Sequence, residues 1–335
     1  GAEGLEADWA DVQVNHVDTE AKYGAFVTGG SWSVWQNFDL MSRAGAAGRS
    51  ALIEEGARLL GVAAIDCSTA NSQVICRGKS VSYGDIVSKG NLSRTYTDAQ
   101  LASLPIKAAK DRKLIGSETQ ALDIPNKTNG AAIYGIDATD EGMVYAKPIV
   151  PPTRYGSSVK SVDDSQAKNV KGYQQTLVLN DPSNTVPGWA LVIADSFHAA
   201  QRAERLIKVE WNAGPTANVS EQDILNRGSE LIEGSSGSLV VEDGEVDATF
   251  ASANSVFTQS YTTSTVLHFQ LEPVNAIGLQ KDGIWELHTG NQWQSLILPT
   301  LAQSLGVPVE QVVMRTHLLG GGFGRRLNGD YGVPA

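Results

Sequence analysis

The residues best suited to chemistry lie between Val312 and Arg326, where a β-rich run enters a glycine-dense turn. The turn reads Gly320-Gly321-Gly322-Phe323-Gly324 and is followed by two arginines. Successive glycines let a backbone adopt positive φ angles and bring bare N–H groups against a ligand. The dinucleotide fingerprint G-x-G-x-x-G does not fit, because Arg325 stands three positions after Gly322 and no long amphipathic pattern follows. The turn predicts a backbone cradle, with a plain tight β-turn as the alternative.

A second stretch with binding chemistry is Thr28-Gly29-Gly30-Ser31-Trp32-Ser33, which precedes a predicted helix from Asp39 to Leu60. The helix is predicted from apolar residues at roughly helical spacing, and Gly61 supplies its stop. Hydroxyl groups and free N–H groups near a helix start favour a negatively charged ligand. The stretch therefore predicts an anion site, with an ordinary loop as the alternative.

Composition limits the class of protein. With 335 residues the chain is long enough for two or three domains. Apolar residues make up 41% and charged residues 19%, which is typical of globular proteins with a sizeable core. The net charge of −11, without a concentrated basic patch, argues against nucleic acid or an anionic membrane surface as the main partner. No run of about 18 apolar residues exists, so no membrane-spanning helix is predicted.

The two cysteines, Cys67 and Cys76, are nine positions apart, around a pattern that predicts a hairpin from Thr69 to Tyr83. An iron–sulfur cluster needs four thiolates, and no C-x-x-C indicates zinc. The chain is therefore predicted to carry no metal cluster of its own. A disulfide and two buried free thiols are both compatible with the spacing.

Alternation and helical periodicity predict an α+β protein. In the first part we expect a strand at 9–17, a helix capped at Ser82 and a polar connector up to residue 130. A β-rich unit begins near Ala131, where 133–136 and 143–146 are predicted to pair until Pro148 breaks the run. The remaining elements of this unit are predicted as strands at 158–163, 189–194 and 208–211, a helical turn at 164–169 and a helix at 196–207.

The last part of the chain is predicted to be mixed. The residues from Gly214 to about Asp247 are polar and acidic and contain a helix near 221–231. The elements that lead to the glycine turn are predicted as strands at 256–266, 275–280, 284–288 and 312–316, with a helix at 294–306.

Three stretches in this order resemble the large, molybdopterin-binding subunit of the molybdenum hydroxylases, the family of xanthine dehydrogenase and aldehyde oxidase. They are His268-Phe269-x-Leu271-Glu272, then Gln292 thirteen residues before Leu305-Gly306-Val307-Pro308, then the glycine turn. The N-terminal part, with Asp8-Trp9, Thr28-Gly29-Gly30-Ser31-x-Ser33 and the following helix, resembles the branch of the isoquinoline 1-oxidoreductase beta subunit and the membrane-bound bacterial aldehyde dehydrogenases.

The resemblance implies an α+β fold with a hammerhead-type α/β domain and parts of the mixed α/β molybdopterin-binding domains. Residues 1–90 would be a segment of a molybdopterin-binding domain and 91–130 a connector. Residues 131–214 would be the hammerhead-like domain, and 215–335 the truncated first part of a molybdopterin-binding domain.

It also implies the cofactor and its residues. Molybdenum would be held by the dithiolene of molybdopterin, in the cytosine dinucleotide form, and by no protein side chain. Gln292 would donate from its side-chain amide to an oxygen on the metal, and Thr28, Gly29, Gly30 and Ser31 would hold the pterin or its phosphate. The other expected cofactor-binding residues are Gly320, Gly321, Gly322, Phe323, Gly324 and Arg325. Glu272 is expected to cap or pair rather than catalyse, and Arg325 and Arg326 to reach a phosphate or carboxylate or to form surface ion pairs.

Two departures from the family pattern matter. Purine-hydroxylating members have a glutamate where this chain has Leu327, which disfavours a purine substrate. The family's catalytic glutamate is expected beyond Ala335, so no catalytic residue is assigned here. The chain is expected to be an internal portion of a longer subunit and inactive by itself.

The resemblance implies oxidation of aldehydes to carboxylic acids with oxygen from water. Hydroxylation of N-heterocycles of the isoquinoline type is the alternative, and a non-catalytic scaffold domain is the alternative of another class. Expected partners are a small iron–sulfur subunit, a cytochrome c subunit and the rest of the large subunit, with no nucleic acid. The bacterial periplasm, with membrane association through partners, is the expected location, and the cytoplasm is the alternative.

Overall fold

A computed structural model describes residues 1–25, 27–234 and 237–335. Helices and strands are mixed, as the α+β prediction requires. The helices are α1 (Ala2–Leu5), α2 (Trp32–Trp35), α3 (Phe38–Leu60), α4 (Tyr83–Lys89), α5 (Asp98–Ser103), α6 (Ile124–Asn129), α7 (Phe197–Glu204), α8 (Glu221–Glu233), α9 (Val246–Ser252) and α10 (Gln294–Leu305). The strands are β1 (Cys67–Ala70), β2 (Gln73–Cys76), β3 (Lys79–Ser82), β4 (Tyr145–Ile149), β5 (Ser158–Asp163), β6 (Tyr173–Val178), β7 (Ala190–Ala194), β8 (Lys208–Asn212), β9 (Ile277–Lys281), β10 (Ile284–Thr289) and β11 (Val312–Thr316).

The long helix α3 confirms its prediction and packs on a small antiparallel sheet ordered β1-β2-β3. Gly61 ends the helix in the left-handed region at φ 69° and donates to the carbonyls of Ala57 and Arg58. The Ser82 side chain accepts from the Asp85 N–H and caps α4, as predicted. The segment predicted as a hairpin, Thr69 to Tyr83, thus forms most of a three-stranded meander.

Cys67 and Cys76 lie opposite each other in the β1–β2 register and form a disulfide. Cys76 is fully buried beside Val74 and Ile86. The structure therefore favours the disulfide over two free thiols. Each described helix is also too short or too polar to cross a membrane.

The strand predicted at residues 9–17 is wrong. Trp9–Asp11 is a single 3₁₀ turn, because the Asp8 carboxylate accepts from the Ala10 N–H and turns the chain at once. The Trp9 indole donates to the Gln120 carbonyl across the connector. This contact anchors the segment without placing it in a sheet.

The middle unit holds an antiparallel sheet ordered β4-β7-β6 and a separate β5-β8 pair. All of β7 is buried, and it packs on α7 around Val192, Ala194 and Ala200. The strand β6 was not predicted, because its sequence, Tyr-Gln-Gln-Thr-Leu-Val, is mostly polar.

The predicted pairing of residues 133–136 with 143–146 is wrong. Tyr134 instead forms a parallel bridge with Leu318, and β4 pairs with β7. Pro148 lies inside β4 and does not end it, because β4 is an edge strand, where proline need not donate to a neighbour.

The C-terminal unit is a β10–α10–β11 crossover, with β10 and β11 parallel and β9 added antiparallel to β10. The two parallel strands and the helix enclose a core that contains Leu287, Leu301 and Met314. The carboxyl ends of parallel strands meet at one edge of a sheet, and this edge of open α/β sheets is where ligands bind. Gln292 follows β10 and the glycine turn follows β11, so both predicted cofactor segments leave the same edge.

Residues 256–266, predicted as a strand, run as irregular chain and pair with no strand in the described ranges. The prediction is wrong here because an alternating pattern becomes a strand only when a neighbour accepts its hydrogen bonds. Val256, Phe257 and Tyr261 are exposed in consequence.

Candidate functional site

An open cleft of about 370 Å³ lies where the N-terminal glycine stretch meets the loops after β10 and β11. This volume falls in the range of small-molecule sites in proteins. The cleft is lined by Thr28, Gly29, Gly30, Ser31, Ser33, Gln292, Phe323, Gly324 and Leu327. Segments almost 300 residues apart in the chain therefore form one concave surface.

Gln292 ties the three segments together. Its backbone N–H donates to the Arg326 carbonyl at 3.1 Å, and its carbonyl accepts from the Thr28 N–H at 2.7 Å. Its side-chain Nε2 donates to the Thr28 carbonyl at 2.8 Å, and Oε1 accepts from the Gly324 N–H at 3.1 Å. A side-chain amide carries two N–H donors, so one remains for a ligand.

The glycine turn approaches this glutamine closely. A methyl group at Gly322 would overlap the Gln292 side chain, and one at Gly320 would overlap Glu272. Gly324 has φ 94°, and a methyl group there would lie 3.9 Å from His268 Nε2, while Phe323 has φ 52° and is 72% exposed. A left-handed backbone conformation is uncommon and costly for a phenylalanine, particularly for one whose side chain is exposed to solvent. The conformation of Phe323 therefore indicates that the turn is fixed by its surroundings.

One wall of the cleft is apolar and the other is polar. Phe323 and Leu327 supply the apolar side, and a methyl group at Gly29 would touch Leu327 at 3.7 Å. Thr28, Ser31 and Ser33 supply hydroxyl groups on the other side. A ligand with a flat ring system and hydrogen-bonding edges suits this surface.

A buried ion pair supports the turn from behind. Arg326 is fully buried, and its Nη2 lies 2.8 Å from the Glu272 carboxylate. The guanidinium also donates to the carbonyls of Gly290, Glu272 and Pro273, while Glu272 accepts from the N–H groups of Gly320 and Ile136. The expected capping and pairing role of Glu272 is observed. Arg326 reaches a carboxylate, as one of its two interpretations required, and is not a surface residue.

The structure brings together most of the predicted cofactor-binding residues. Those that line the cleft are Thr28, Gly29, Gly30, Ser31, Gln292, Phe323 and Gly324. Gly320, Gly321, Gly322 and Arg325 do not line it: the glycines form the supporting side of the turn, and the Arg325 guanidinium binds Asp330 at 2.5 Å. Their roles in binding stay predictions.

Sequence reasoning missed Ser33 as a cleft residue and Asp330 as the partner of Arg325. Ser33 stands within the small-residue stretch, so its hydroxyl was a visible signal. Asp330 carried no such signal in the sequence, because this residue meets Arg325 only when the chain folds back at Gly329, which has φ 65°.

A charged network fixes the N-terminal segment on β11, the strand that precedes the glycine turn. Asp18 accepts from the Thr316 N–H at 3.0 Å and pairs with Arg315, which also contacts Glu286. The Arg315 guanidinium holds the pKa of Glu286 below its usual range. Burial lowers the pKa of His317, whose ring contacts His288 at 3.3 Å.

The described residues fit a pterin cofactor better than a metal held by side chains. They contain no group of three or more histidine, cysteine or acidic side chains placed to hold a metal ion. The cleft offers glycine backbone at Gly29, Gly30 and Gly324, together with hydroxyl groups. Glycines that permit close backbone approach, next to a free amide donor, suit a ring with many hydrogen-bonding atoms.

Comparison with known proteins relates this cleft to a cofactor-binding domain. Residues 232–334 match the family model of the molybdopterin cofactor-binding domain. The resemblance to the molybdenum hydroxylases is thereby confirmed, and this domain carries Gln292 and the glycine turn.

Particular relatives extend the similarity along the whole chain. It is 56% identical to a membrane-bound aldehyde dehydrogenase (pyrroloquinoline-quinone) of Gluconacetobacter polyoxogenes, over 100% of this chain and 44% of that protein. It is 28% identical to the isoquinoline 1-oxidoreductase subunit beta of Brevundimonas diminuta, over 97% of this chain and 47% of that protein. It is 27% identical to xanthine dehydrogenase/oxidase of Rattus norvegicus, over 65% of this chain and 18% of that protein. The chain thus spans less than half the length of these relatives.

Proposed function

We propose that this chain is the part of a molybdenum hydroxylase large subunit that holds the molybdopterin, in an enzyme that oxidises aldehydes to carboxylic acids. The observation that carries the proposal is the cleft itself, in which Gln292 joins the N-terminal glycine stretch to the glycine turn. The family match supports the cofactor, and the 56% identity to an aldehyde dehydrogenase supports the substrate class.

The residues of this chain bind and orient. When bound, the molybdopterin supplies the redox centre at which the substrate carbon gains an oxygen from water. Gln292 would offer its second side-chain N–H to the cofactor, because its first donor and its acceptor are already held by Thr28 and Gly324. Phe323 and Leu327 would present an apolar surface to one side of the bound ring. The cytosine dinucleotide form of the cofactor belongs to this proposal.

Hydroxylation of N-heterocycles is the second candidate, favoured by the 28% identity to an isoquinoline oxidoreductase subunit over almost the whole chain. Leu327 is compatible with both substrates, since neither an aldehyde nor isoquinoline needs a carboxylate anchor. A non-catalytic scaffold domain is opposed by the match of residues 232–334 to the molybdopterin cofactor-binding domain.

We propose an exported location, with a small iron–sulfur subunit, a cytochrome c subunit and the rest of the large subunit as partners. The Cys67–Cys76 disulfide supports export, because disulfides persist in oxidising compartments. The words "membrane-bound" in the name of the first relative agree with a complex held at a membrane by its partners. The boundaries 1–90, 91–130, 131–214 and 215–335 belong to the same proposal.

The test is turnover by the complete complex in ¹⁸O-labelled water, with acetaldehyde and with isoquinoline as substrates. We expect acetaldehyde to be oxidised to acetate, and isoquinoline to be hydroxylated more slowly, to a product that carries one ¹⁸O atom from water. Faster hydroxylation of isoquinoline would favour the second candidate. No oxidation of either substrate by a complex that contains molybdenum would contradict the proposal.

A further inference from the structure

Two arginines share one buried carboxylate next to the cleft. Arg154, in the loop between β4 and β5, lies 2.8 Å from the Asp330 carboxylate through Nη2. Arg325 contacts the same carboxylate through Nη1 at 2.5 Å and Nη2 at 3.3 Å. The Asp330 side chain is only 2% exposed, whereas those of Arg154 and Arg325 are 45% and 26% exposed. The carboxylate is therefore the interior anchor, and the two guanidinium groups face outward.

The charges in this cluster do not cancel. Two guanidinium groups against one carboxylate leave a net charge of about +1, since arginine stays protonated at every physiological pH. Within the described ranges, neither arginine forms an ion pair with another carboxylate. The other close neighbours are the rings of Tyr155, under Arg154 at 5.6 Å, and Tyr331, under Arg325 at 5.8 Å. Burial raises the pKa of Tyr331, so this phenol stays neutral and adds no negative charge.

The cluster is held in place before any ligand arrives. Asp330 follows Gly329, whose backbone packs so closely on Ile297 of α10 that a methyl group there would lie 2.8 Å from its Cβ. Arg325 is fixed through its backbone N–H, which donates to the Gly322 carbonyl at 2.8 Å. An arginine that is already oriented loses little side-chain entropy when an anion binds. The hydrogen bonds from its planar guanidinium therefore contribute more of their free energy to binding.

The position of the pair relates it to the cleft. Arg325 stands directly after Gly324 and two residues before Leu327, both of which line the cleft. Consecutive Cα atoms are about 3.8 Å apart, so the backbone of Arg325 is close to any ligand that touches Gly324. An anionic group on such a ligand has only a short distance to span to Arg325. The cleft itself is lined by uncharged residues, and Arg325 lies in the chain between two of them, Gly324 and Leu327.

We propose that Arg154 and Arg325, held by Asp330, form a binding site for an oxyanion at the margin of the cleft. Its ligand is a phosphoryl or carboxylate group that both guanidinium groups contact on the side away from Asp330. Two sources share this chemistry: the phosphate tail of a cofactor in the cleft, or the carboxylate of a small molecule such as an acid product. Only the choice of source rests on the proposed function.

The test measures binding of inorganic phosphate and of acetate by calorimetry, at low ionic strength, to the complete subunit with and without its cofactor. The variants are Arg154→Gln and Arg325→Gln, and the control is Arg227→Gln, an exposed arginine of α8 that pairs with Glu230. We expect the cofactor-free subunit to bind phosphate, and each variant to bind it roughly tenfold more weakly, since one charge-assisted contact is lost. The control should not change the affinity.

Asp330→Asn gives a prediction of the opposite sign. The amide keeps the shape of the carboxylate and removes its charge, so phosphate affinity should rise several-fold if the arginines bind anions. A purely structural role for the arginines predicts no such rise, and an unchanged affinity in all three variants would overturn the proposal. So would the absence of phosphate and acetate binding by the cofactor-free subunit.

The cofactor-loaded subunit identifies the source. If the cofactor tail occupies the site, the loaded subunit does not bind phosphate, and the arginine variants retain less pterin after purification. If a carboxylate occupies it, the loaded subunit binds acetate and the variants bind it more weakly. Molybdenum and pterin are measured on the same samples. Phosphate binding by a subunit that never holds pterin would sink the proposed function and leave the anion site standing.

Discussion

The Glu272 carboxylate lies 2.8 Å from Nη2 of Arg326, and both side chains are closed off from solvent behind the glycine turn. The pair joins segments more than fifty residues apart, and it fixes the backbone on which Gln292 and Gly324 are placed. A charge pair in the interior is costly to break from one side, because the remaining charge stays buried without its partner.

Arg326→Met should therefore destabilise the protein by about 3–5 kcal/mol, since it leaves the Glu272 charge buried and unpaired. Adding Glu272→Gln to the same protein should recover part of this loss, because the unpaired charge is then removed. Urea unfolding of the two single variants and the double variant gives the coupling energy. Additive effects of the two substitutions would show that the pair is not coupled.

Gly322→Ala should destabilise the protein by about 1–3 kcal/mol, because the added methyl group overlaps the Gln292 side chain. The matched control is Gly228→Ala in α8, where nothing lies within 4 Å of the new methyl group. Alanine is the better helix former, so the control should gain up to about 1 kcal/mol. Thermal unfolding of both variants tests this difference, and equal shifts would argue against close packing at the turn.

Replacement of Cys67 and Cys76 by serine should lower stability by about 2–3 kcal/mol, because the cross-link constrains the unfolded chain over a loop of about ten residues. The double variant should be insensitive to dithiothreitol, whereas the native protein should lose the same amount of stability when reduced. Thiol titration of the unfolded, non-reduced protein provides the check. Two free thiols per chain would contradict the disulfide.

Glu3 gives the stability of the protein an acid dependence. Burial of its carboxylate would raise the pKa, but hydrogen bonds from Lys107 and from the N–H groups of Ile115, Leu114 and Lys113 outweigh it and lower the pKa to about 2. The folded pKa lies below the usual 4.5, so the stabilisation is complete above pH 4.5 and is lost as the pH falls towards 2.

Glu3→Gln should therefore be less stable than the native protein at pH 7, and the difference should shrink between pH 4.5 and 2. Urea midpoints at several pH values measure it. Glu141→Gln, which removes an exposed carboxylate, is the matched control. A constant difference for Glu3→Gln across this range would contradict the assignment of the pKa.

The sequence predicted elements whose signals are local. The helix α3 was found from its periodicity and its glycine stop, and β10, α10 and β11 from their own patterns. The pairing of β4 with β7 and the bridge from Tyr134 to Leu318 depend on contacts between distant segments, which no local pattern contains. The exposed stretch at 256–266 shows the reverse case, in which a strong strand pattern lacks a neighbouring strand.

The candidate site was predictable in its members and not in its geometry. The resemblance to the molybdenum hydroxylases brought Thr28, Gln292 and Gly324 into one hypothesis, and the cleft contains all three. Arg325 and Arg326 were indistinguishable in the sequence, because adjacent arginines differ only in the direction their side chains take in the fold. Arg326 is fully buried against Glu272. Arg325 turns to the buried Asp330 and keeps part of its own side chain exposed.

The central claim is that the cleft around Gln292 holds molybdopterin. The direct measurement is the molybdenum and pterin content of the complete subunit, native and Gln292→Leu, with pyrroloquinoline quinone assayed on the same material because the first relative carries that name. We expect about one molybdenum and one pterin per native subunit, and a marked loss of both in the variant, whose leucine cannot bind Thr28 or Gly324 through its side chain. A folded native subunit that contains the quinone and no pterin, or a variant that retains its full pterin content, would contradict it.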